Sequence, residues 1–123
     1  MAEFQFHPVV WRAGNPVGFI QSYVAAESGG GWWPDVHDPG VLGIDQFLAD
    51  GSQLSRGLGT GMIRAFVAYL FANPKVTRVQ ADPSPDNVRA IRSYEKAGFH
   101  RLGEVDTPDG TALLMVRERD DSR

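Results

Sequence analysis

The sequence contains no cysteine, which excludes a disulfide scaffold, a thiolate metal site and a cysteine nucleophile. No hydrophobic run approaches the roughly 20 residues that a helix needs to span a bilayer. The N-terminal residues also lack the basic and apolar regions of a signal peptide. With three histidines and no cysteine, a structural zinc site is not expected. We therefore expect a cytoplasmic protein that uses neither a metal nor a membrane.

Positive charge is absent from residues 13–55, which contain acidic residues but no lysine or arginine. The basic residues return in residues 56–101. The first stretch suits a cationic ligand and the second an anionic one, although unevenly scattered surface charge gives the same pattern. The net charge is −3 and no basic-aromatic stripe is present, which argues against nucleic-acid binding.

A chain of 123 residues is long enough for one domain with its own core. Two helices are predicted, one after the glycines of residues 57–61 and ending at Asn73 and Pro74, and one from Ser84 and Pro85 to about Ala97. Strand patterns occupy residues 4–12, 17–26, 41–48, 76–81, 99–105 and 111–119. The order β-β-β-α-β-α-β-β predicts an α/β fold with a ligand at a strand-to-helix turn.

The ends of the second predicted helix carry specific signals. Ser84 is expected to be its N-cap, with Pro85 as the first helical residue. Gly98 stands where a left-handed C-cap belongs. The five residues 106–110 are rich in proline, aspartate and glycine and are predicted to form the last turn.

The turn Gly57-Leu58-Gly59-Thr60 lies between a predicted strand and a helix. Glycines let backbone N–H groups approach a phosphate, a helix N-terminus attracts anions, and Arg56 adds a full positive charge. Alone, such a glycine pair is more often a plain turn. The missing Gly-Lys-Ser/Thr ending excludes a P-loop, and the spacing of the third glycine excludes a dinucleotide-binding fingerprint.

The second helix carries a more specific pattern, Asn-x-x-Ala-x-x-x-Tyr-x-x-x-Gly-Phe. This sequence supplies it at Asn87, Ala90, Tyr94, Gly98 and Phe99. Together with the glycine turn, it resembles the GNAT family of N-acetyltransferases. Leu54 departs from the family, which usually has arginine or glutamine three residues before the first glycine. This weakens one side-chain contact to phosphate but leaves the backbone cradle intact.

The resemblance implies the GNAT fold, a mixed and mostly antiparallel sheet with two helices, and acetyl-CoA as the cofactor. In an enzyme without cysteine, the acceptor amine would attack the thioester directly in a ternary complex. The resemblance places coenzyme A against eleven residues: Gln46, Phe47, Leu48, Arg56, Gly57, Leu58, Gly59, Thr60, Asn87, Ala90 and Tyr94.

Within that family, residues 20–23, 31–33, 38–41, 43–46, 82–85 and 107–110 look like the aminoglycoside 6′-N-acetyltransferases of the resistance-cassette type. This likeness implies that Asp45 is the base, directly or through a water, or else an anchor for the cation. It implies that Tyr94 protonates the departing thiolate, whereas the helical spacing alone allows a core aromatic. A backbone N–H at residues 45–47 would polarise the carbonyl.

The acceptor would be a small cationic molecule, an aminoglycoside. The residues expected to bind it are Gln21, Tyr23, Trp32, Trp33, Asp45, Asp82 and Asp109. For the two tryptophans, stacking on the acceptor and plain core packing are equally open interpretations.

Members of the family usually begin with a further strand and one or two helices. We expect one shortened domain over residues 1–123, with an acceptor side in residues 1–55, a coenzyme A half in residues 56–119 and a frayed tail in residues 120–123. An uncovered sheet edge would favour a homodimer or higher oligomer.

Two other functions remain open at this point. The acceptor could be a different amine, such as a polyamine, a peptide N-terminus or a siderophore hydroxylamine. Alternatively, the protein could be a non-catalytic module that binds coenzyme A or an aminoglycoside.

Overall fold

The computed structural model describes residues 9–12, 15–48 and 58–119. Two helices lie in these ranges, α1 (Leu58–Phe71) and α2 (Val88–Lys96), and neither is long and apolar enough to cross a membrane. The strands are β1 (Val9–Arg12), β2 (Asn15–Val24), β3 (Val41–Leu48), β4 (Arg78–Ala81), β5 (His100–Thr107) and β6 (Gly110–Glu118). They form one sheet in the order β1-β2-β3-β4-β6-β5, in which β3 and β4 are parallel and the other neighbours antiparallel. The expected mixed, mostly antiparallel sheet with two helices is confirmed.

One face of the sheet packs against both helices. Ile44, Val79 and Met115 come from three different strands and are no more than 1% exposed. They join Ile63 of α1 and Ile91 of α2 in one apolar core. Because successive side chains of a strand point to opposite faces, the residues between these core positions face away from the helices.

The other face of the sheet carries polar side chains, and we call it the cleft face. Gln21 is paired with Asp45 across β2 and β3, and Tyr23 is paired with Gly43. Gly43 is paired in turn with Gln80 of β4. Residues directly opposite each other share a face, so the polar residues of three strands lie side by side.

The parallel pair β3 and β4 is short. It contains three residue pairs and ends at Gly43 and Gln80, whereas β3 continues to Leu48 with pairing on its β2 side. Beyond Gly43, the β4 side of β3 therefore has no strand partner among the described strands. Asp45 and Asp82 each follow the last pair by two residues, so both lie where the strands have separated.

The expected N-cap of α2 was wrong. The helix begins at Val88, and the side chain of Asn87 caps it by accepting a hydrogen bond from the backbone N–H of Ala90 at 3.2 Å. The carbonyl of Ser84 instead accepts the N–H of Asn87 at 2.9 Å, which closes a turn. Serine and asparagine are both good N-caps. In this protein Ser84 closes the preceding turn through its carbonyl, and Asn87 caps the helix through its side chain.

Several strand boundaries also differ from the prediction by one or two residues. β4 begins at Arg78 and not at residue 76. β2 ends at Val24, and Ala25–Glu27 forms a short 3-10 turn. β5 extends to Thr107, because Asp106 and Thr107 pair with the start of β6 and leave a tighter turn than expected. Residues 4–8 of the first predicted strand lie outside the described residues.

The predicted end of α2 is confirmed. Gly98 has φ of +99°, and the N–H of Phe99 reaches back to the carbonyl of Tyr94 at 3.0 Å. This closes the helix in the left-handed geometry that favours glycine. It also brings Phe99 against the ring of Tyr94, which matters for the site.

Arg119 follows β6 directly and ties the end of that strand to the end of α1. Its guanidinium donates to the carbonyls of Phe71, Asn73 and Val76 at 3.1, 2.6 and 2.8 Å and lies 5.2 Å from the Phe71 ring centroid. We expect Arg119→Ala to lower the free energy of unfolding by about 2 kcal/mol, since it leaves helix-end carbonyls unpaired. Urea denaturation measures this change.

Arg101→Ala is the matched control for that experiment. It removes an exposed ion pair with Glu95, at 3.1 Å, which contributes at most about 1 kcal/mol. Equal losses in the two variants would contradict a special role of Arg119.

Candidate active site

Two carboxylates lie at the opening between β3 and β4. Asp45 is half-buried and accepts a long hydrogen bond from Nε2 of Gln21 at 3.5 Å. Burial raises the pKa of Asp45, and the bond from Gln21 offsets part of that effect. Burial also raises the pKa of Asp82, to about 6, and the negative charges of Asp45 and, more weakly, Asp109 add to it. Asp45 is thus close enough for its charge to disfavour the ionisation of Asp82.

Tyr23 lies beside these carboxylates on the cleft face. Burial raises the pKa of its hydroxyl, and the charges of Asp82 and Asp45 raise it further. The hydroxyl accepts a hydrogen bond from Nε1 of Trp33 at 3.0 Å. Its ring lies directly on the backbone of Gly43, in the space that a side chain would occupy.

Tyr94, on α2, lies near Tyr23 and the two carboxylates. It is only 5% exposed, and its ring meets Phe99 edge to face with 5.2 Å between the centroids. Burial raises the pKa of Tyr94, followed by the charges of Asp45 and Asp82 and the effect of Tyr23. The residue is therefore a core aromatic whose hydroxyl is within electrostatic reach of both carboxylates.

We call Tyr23, Asp45, Asp82 and Tyr94 the acidic cluster. Burial is the largest cause of the raised pKa in all four. The charge of Asp45 also raises the pKa of each of the other three members. Acids whose pKa values are shifted together by burial and by mutual charge are typical of functional sites. Such a cluster favours a bound cation, which would stabilise the ionised carboxylates, and it can accept a proton from that cation.

The raised pKa of Asp82 makes its ionisation destabilising in the protein without a ligand. The folded pKa of Asp82 is about 6 and lies above the reference value of 3.8. The protonated carboxyl therefore contributes stability that is fully present below pH 3.8 and is lost as the pH rises through 6. We expect Asp82→Asn to raise the free energy of unfolding at pH 8 by roughly 1 to 2 kcal/mol, after discounting for solvent screening. Thermal melting at pH 4 and pH 8 measures the difference.

The contrast between the two pH values is the control for this prediction. The stabilisation by Asp82→Asn should vanish near pH 4, where the wild-type carboxyl is largely protonated. A gain that is equal at both pH values would show that burial does not disfavour the charge of Asp82.

The loop of residues 31–36, which we call the aromatic loop, contains both tryptophans. Trp32 and Trp33 are half-buried, with ring centroids 6.0 Å apart. With the rest of residues 31–36 they form one wall of a groove of about 350 Å³. The other wall comes from the β5–β6 hairpin: Val105, Asp106, Thr107 and Leu114. Both half-buried tryptophans thus line a groove between this loop and the hairpin.

Asp109 is exposed at the turn between β5 and β6. Its charge contributes to the raised pKa of Asp82, so it lies on the same side of the molecule as the acidic cluster. Five of the expected acceptor-binding side chains, those of Gln21, Tyr23, Trp33, Asp45 and Asp82, are linked by hydrogen bonds or charge. Trp32 joins them through its ring contact with Trp33.

The expected cofactor residues fall in three places. Leu58, Gly59 and Thr60 form the first turn of α1, which carries no acidic residue and so suits an anion. The backbone of residues 46–48 lies on the stretch of β3 that pairs with β2 and has no described strand partner on its β4 side. Asn87 caps α2 and Ala90 donates to that cap. Arg56 and Gly57 lie outside the described residues.

This arrangement fits coenzyme A in its chemistry. A helix N-terminus supplies N–H groups for a phosphate, and an unpaired strand edge supplies donors and acceptors for an arm that contains amides. The edge begins beside the acidic cluster, so a group held along it would end at the two carboxylates.

Two residues of the site were missed from the sequence. Gln80 is 1% exposed on the cleft face, where it lies near the hydroxyl of Tyr23 and slightly lowers its pKa. Its Nε2 is a buried nitrogen without a hydrogen-bond partner among the described residues. Gly43 is the other. A polar residue inside an apolar strand and a glycine inside a strand are the signals that would have pointed to them.

Comparison with known proteins agrees with this geometry. Residues 2–107 match the family model of the acetyltransferase (GNAT) domain. The chain is 61% identical over 106 residues to aminoglycoside N(6′)-acetyltransferase type 1 of Klebsiella pneumoniae, a match that covers 86% of this chain and 53% of that protein. It is also 61% identical over 90 residues to a kanamycin resistance protein of Rhizobium radiobacter, covering 73% and 83%. The chain thus spans about half the length of the first of these relatives.

A solved structure shows the same fold. The aminoglycoside acetyltransferase AAC(6′)-Ib, crystallised with coenzyme A and kanamycin, superposes with a TM-score of 0.87 at 57% identity. The match covers 92% of this chain and 66% of that one. With a family model over most of its length and close relatives of the same fold, the chain belongs to the GNAT acetyltransferase family.

Proposed function

We propose that the protein transfers an acetyl group from acetyl-CoA to an amine of a cationic acceptor, the 6′-amine of an aminoglycoside. The observation that carries this proposal is the acidic cluster at the point where β3 and β4 separate. The name of the Klebsiella relative specifies the same amine, and the AAC(6′)-Ib structure contains kanamycin and coenzyme A. These relatives support the extension of that chemistry to this chain.

The acceptor would bind through its ammonium groups. Asp45, Asp82 and Asp109 lie on one side of the molecule, and residues 13–55 provide no competing lysine or arginine. Charged hydrogen bonds from ammonium groups to partly desolvated carboxylates are each worth on the order of 1.5 to 3 kcal/mol. Trp32 and Trp33 would lie against the sugar rings, and Gln21 and Tyr23 would line the floor of the cleft.

Asp45 would take the proton of the reacting amine or orient the amine through a hydrogen bond. Its raised pKa makes it a better proton acceptor than an exposed aspartate when it is ionised. The amide of Gln21 holds one carboxylate oxygen and leaves the other for the acceptor. A bound cation lowers the pKa of the cluster, so the acceptor itself would ionise its base.

Tyr94 would donate its hydroxyl proton to the departing sulfur. Its raised pKa keeps the phenol protonated at neutral pH, and its packing against Phe99 fixes the ring. A backbone N–H of residues 45–47 would polarise the reacting carbonyl, since that edge of β3 has no strand partner in the described sheet. Acetyl-CoA supplies the activated acetyl group as a thioester.

The residues proposed to hold coenzyme A follow the chemistry of its parts. The turn of Arg56, Gly57, Leu58, Gly59 and Thr60 would bind the pyrophosphate through N–H groups and one guanidinium. The backbone of Gln46, Phe47 and Leu48 would bind the amides of the arm. Asn87, Ala90 and Tyr94 would line the part that carries the sulfur.

A thiol-release assay across a panel of aminoglycosides tests the proposal on the 123-residue chain. Kanamycin-type substrates should release free thiol from acetyl-CoA. Release with lysine-type amines or polyamines alone would show an acetyltransferase with another acceptor. Tight binding in calorimetry without any release would show a binding module and overturn the proposed reaction.

Three expectations stay predictions. They are a single domain over residues 1–123 with the division given above, a homodimer or higher oligomer, and a cytoplasmic location. A monomer in light scattering at micromolar concentration would contradict the second.

A further inference from the structure

Gly43 lies in β3 between two neighbouring strands, and its backbone is held by pairing on both sides. It is buried in the middle of β3 and is paired with Tyr23 on one side and Gln80 on the other. A Cβ built on Gly43 would lie inside the ring and hydroxyl of Tyr23. The tyrosine can therefore pack on the β3 backbone only because this residue has no side chain.

The position of the tyrosine hydroxyl decides the position of Trp33. Nε1 of Trp33 donates to that hydroxyl at 3.0 Å. Trp33 has φ of +50° and is the one residue other than glycine with a positive φ in the described ranges. A bulky side chain rarely adopts this conformation, so the surrounding contacts must hold it there.

We propose that Gly43 is a positioning residue, which admits the phenol of Tyr23 to the β3 backbone and thereby fixes the indole of Trp33 over the cleft face. The chain of contacts runs from β3, two residues before Asp45, through β2 to the aromatic loop. It sets the distance between the loop that would cover the acceptor and the carboxylate that would receive its proton. This inference rests on the proposed function for its kinetic consequence, but its structural part stands on the contacts alone.

Kinetics of Gly43→Ala provide the first test. The added methyl group displaces the Tyr23 ring, and Trp33 loses its hydrogen-bond acceptor. We expect the acceptor KM to rise about tenfold, the effect of one lost hydrogen bond, with the acetyl-CoA KM changed less than twofold. Equal increases in both KM values would indicate general damage and overturn the proposal.

A double-mutant cycle with Tyr23→Leu isolates the contact. In that background no ring lies over residue 43, so Gly43→Ala should change the acceptor KM less than twofold. If Gly43→Ala has the same effect with and without the Tyr23 ring, the two residues are not coupled and the proposal is wrong.

Indole N–H resonances of ¹⁵N-tryptophan-labelled protein give a readout that needs no activity. Tyr23→Phe removes only the acceptor oxygen, and it should shift the Trp33 resonance, assigned with Trp33→Phe, as Gly43→Ala does. This variant also carries the test if Gly43→Ala does not fold. An unchanged Trp33 resonance in Tyr23→Phe overturns the positioning role, whereas a shifted resonance in a protein without thiol release supports it and contradicts only the proposed function.

Gly61→Ala is the matched control for folding. A Cβ at Gly61 meets no atom within 4 Å, and the residue lies in the exposed part of α1. Its melting temperature should be equal to or above that of the wild type, since alanine favours a helix. The Trp33 resonance should not move in this variant.

Discussion

Asp45→Asn lowers kcat/KM for an aminoglycoside by at least about 100-fold if Asp45 accepts the proton of the amine, because a positioned general base contributes roughly 10² to 10⁴. The variant keeps the shape of the side chain and an oxygen for the hydrogen bond from Gln21. It also removes a charge whose burial is unfavourable, so the fold should be at least as stable. Thiol release at saturating acetyl-CoA measures the effect.

The control for that experiment is Glu104→Gln, which removes one negative charge from an exposed position of β5. It should leave kcat/KM within about twofold, since exposed charges act weakly at a distance. If Asp45→Asn raises only the acceptor KM and leaves kcat intact, Asp45 anchors the cation and is not the base.

Tyr94→Phe lowers kcat by about 10- to 100-fold if the phenol protonates the departing thiolate. The ring and its contact with Phe99 remain, so the melting temperature should change little. The KM values should also stay nearly constant, because the hydroxyl would act in the transition state. Steady-state kinetics with both substrates varied give the three parameters.

Tyr69→Phe removes a hydroxyl from an exposed tyrosine of α1 and serves as its control. Its kinetics should match the wild type. An unchanged kcat in Tyr94→Phe would contradict the role of Tyr94 as a proton donor. Tyr94 would then be a core aromatic, as its burial and its spacing along the helix also allow.

The acceptor side and the coenzyme side differ in how far the sequence determines them. The pattern of α2 is local, so the cap at Gly98 and the placement of Tyr94 followed from spacing along one helix. The start of that helix did not, because Ser84 and Asn87 are both good N-caps three residues apart. Only the turn that Ser84 closes decides between them.

The contacts of the cleft face depend on strand register. Tyr23 lies on Gly43 because of how β2 pairs with β3, across the connection formed by residues 25–40. Asp45 and Asp82 come together because β3 and β4 pair for three residues and then separate. Neither register is encoded in a short motif. The charge of these residues was therefore predictable, but the direction of their pKa shifts was not.

The most direct test of the central claim is the position of the new acetyl group on kanamycin. The product formed by the 123-residue chain with acetyl-CoA is isolated and examined by tandem mass spectrometry and NMR. We predict one acetyl group on the 6′-amine. An acetyl group on another amine, or thiol release without any acetylated kanamycin, would contradict the account.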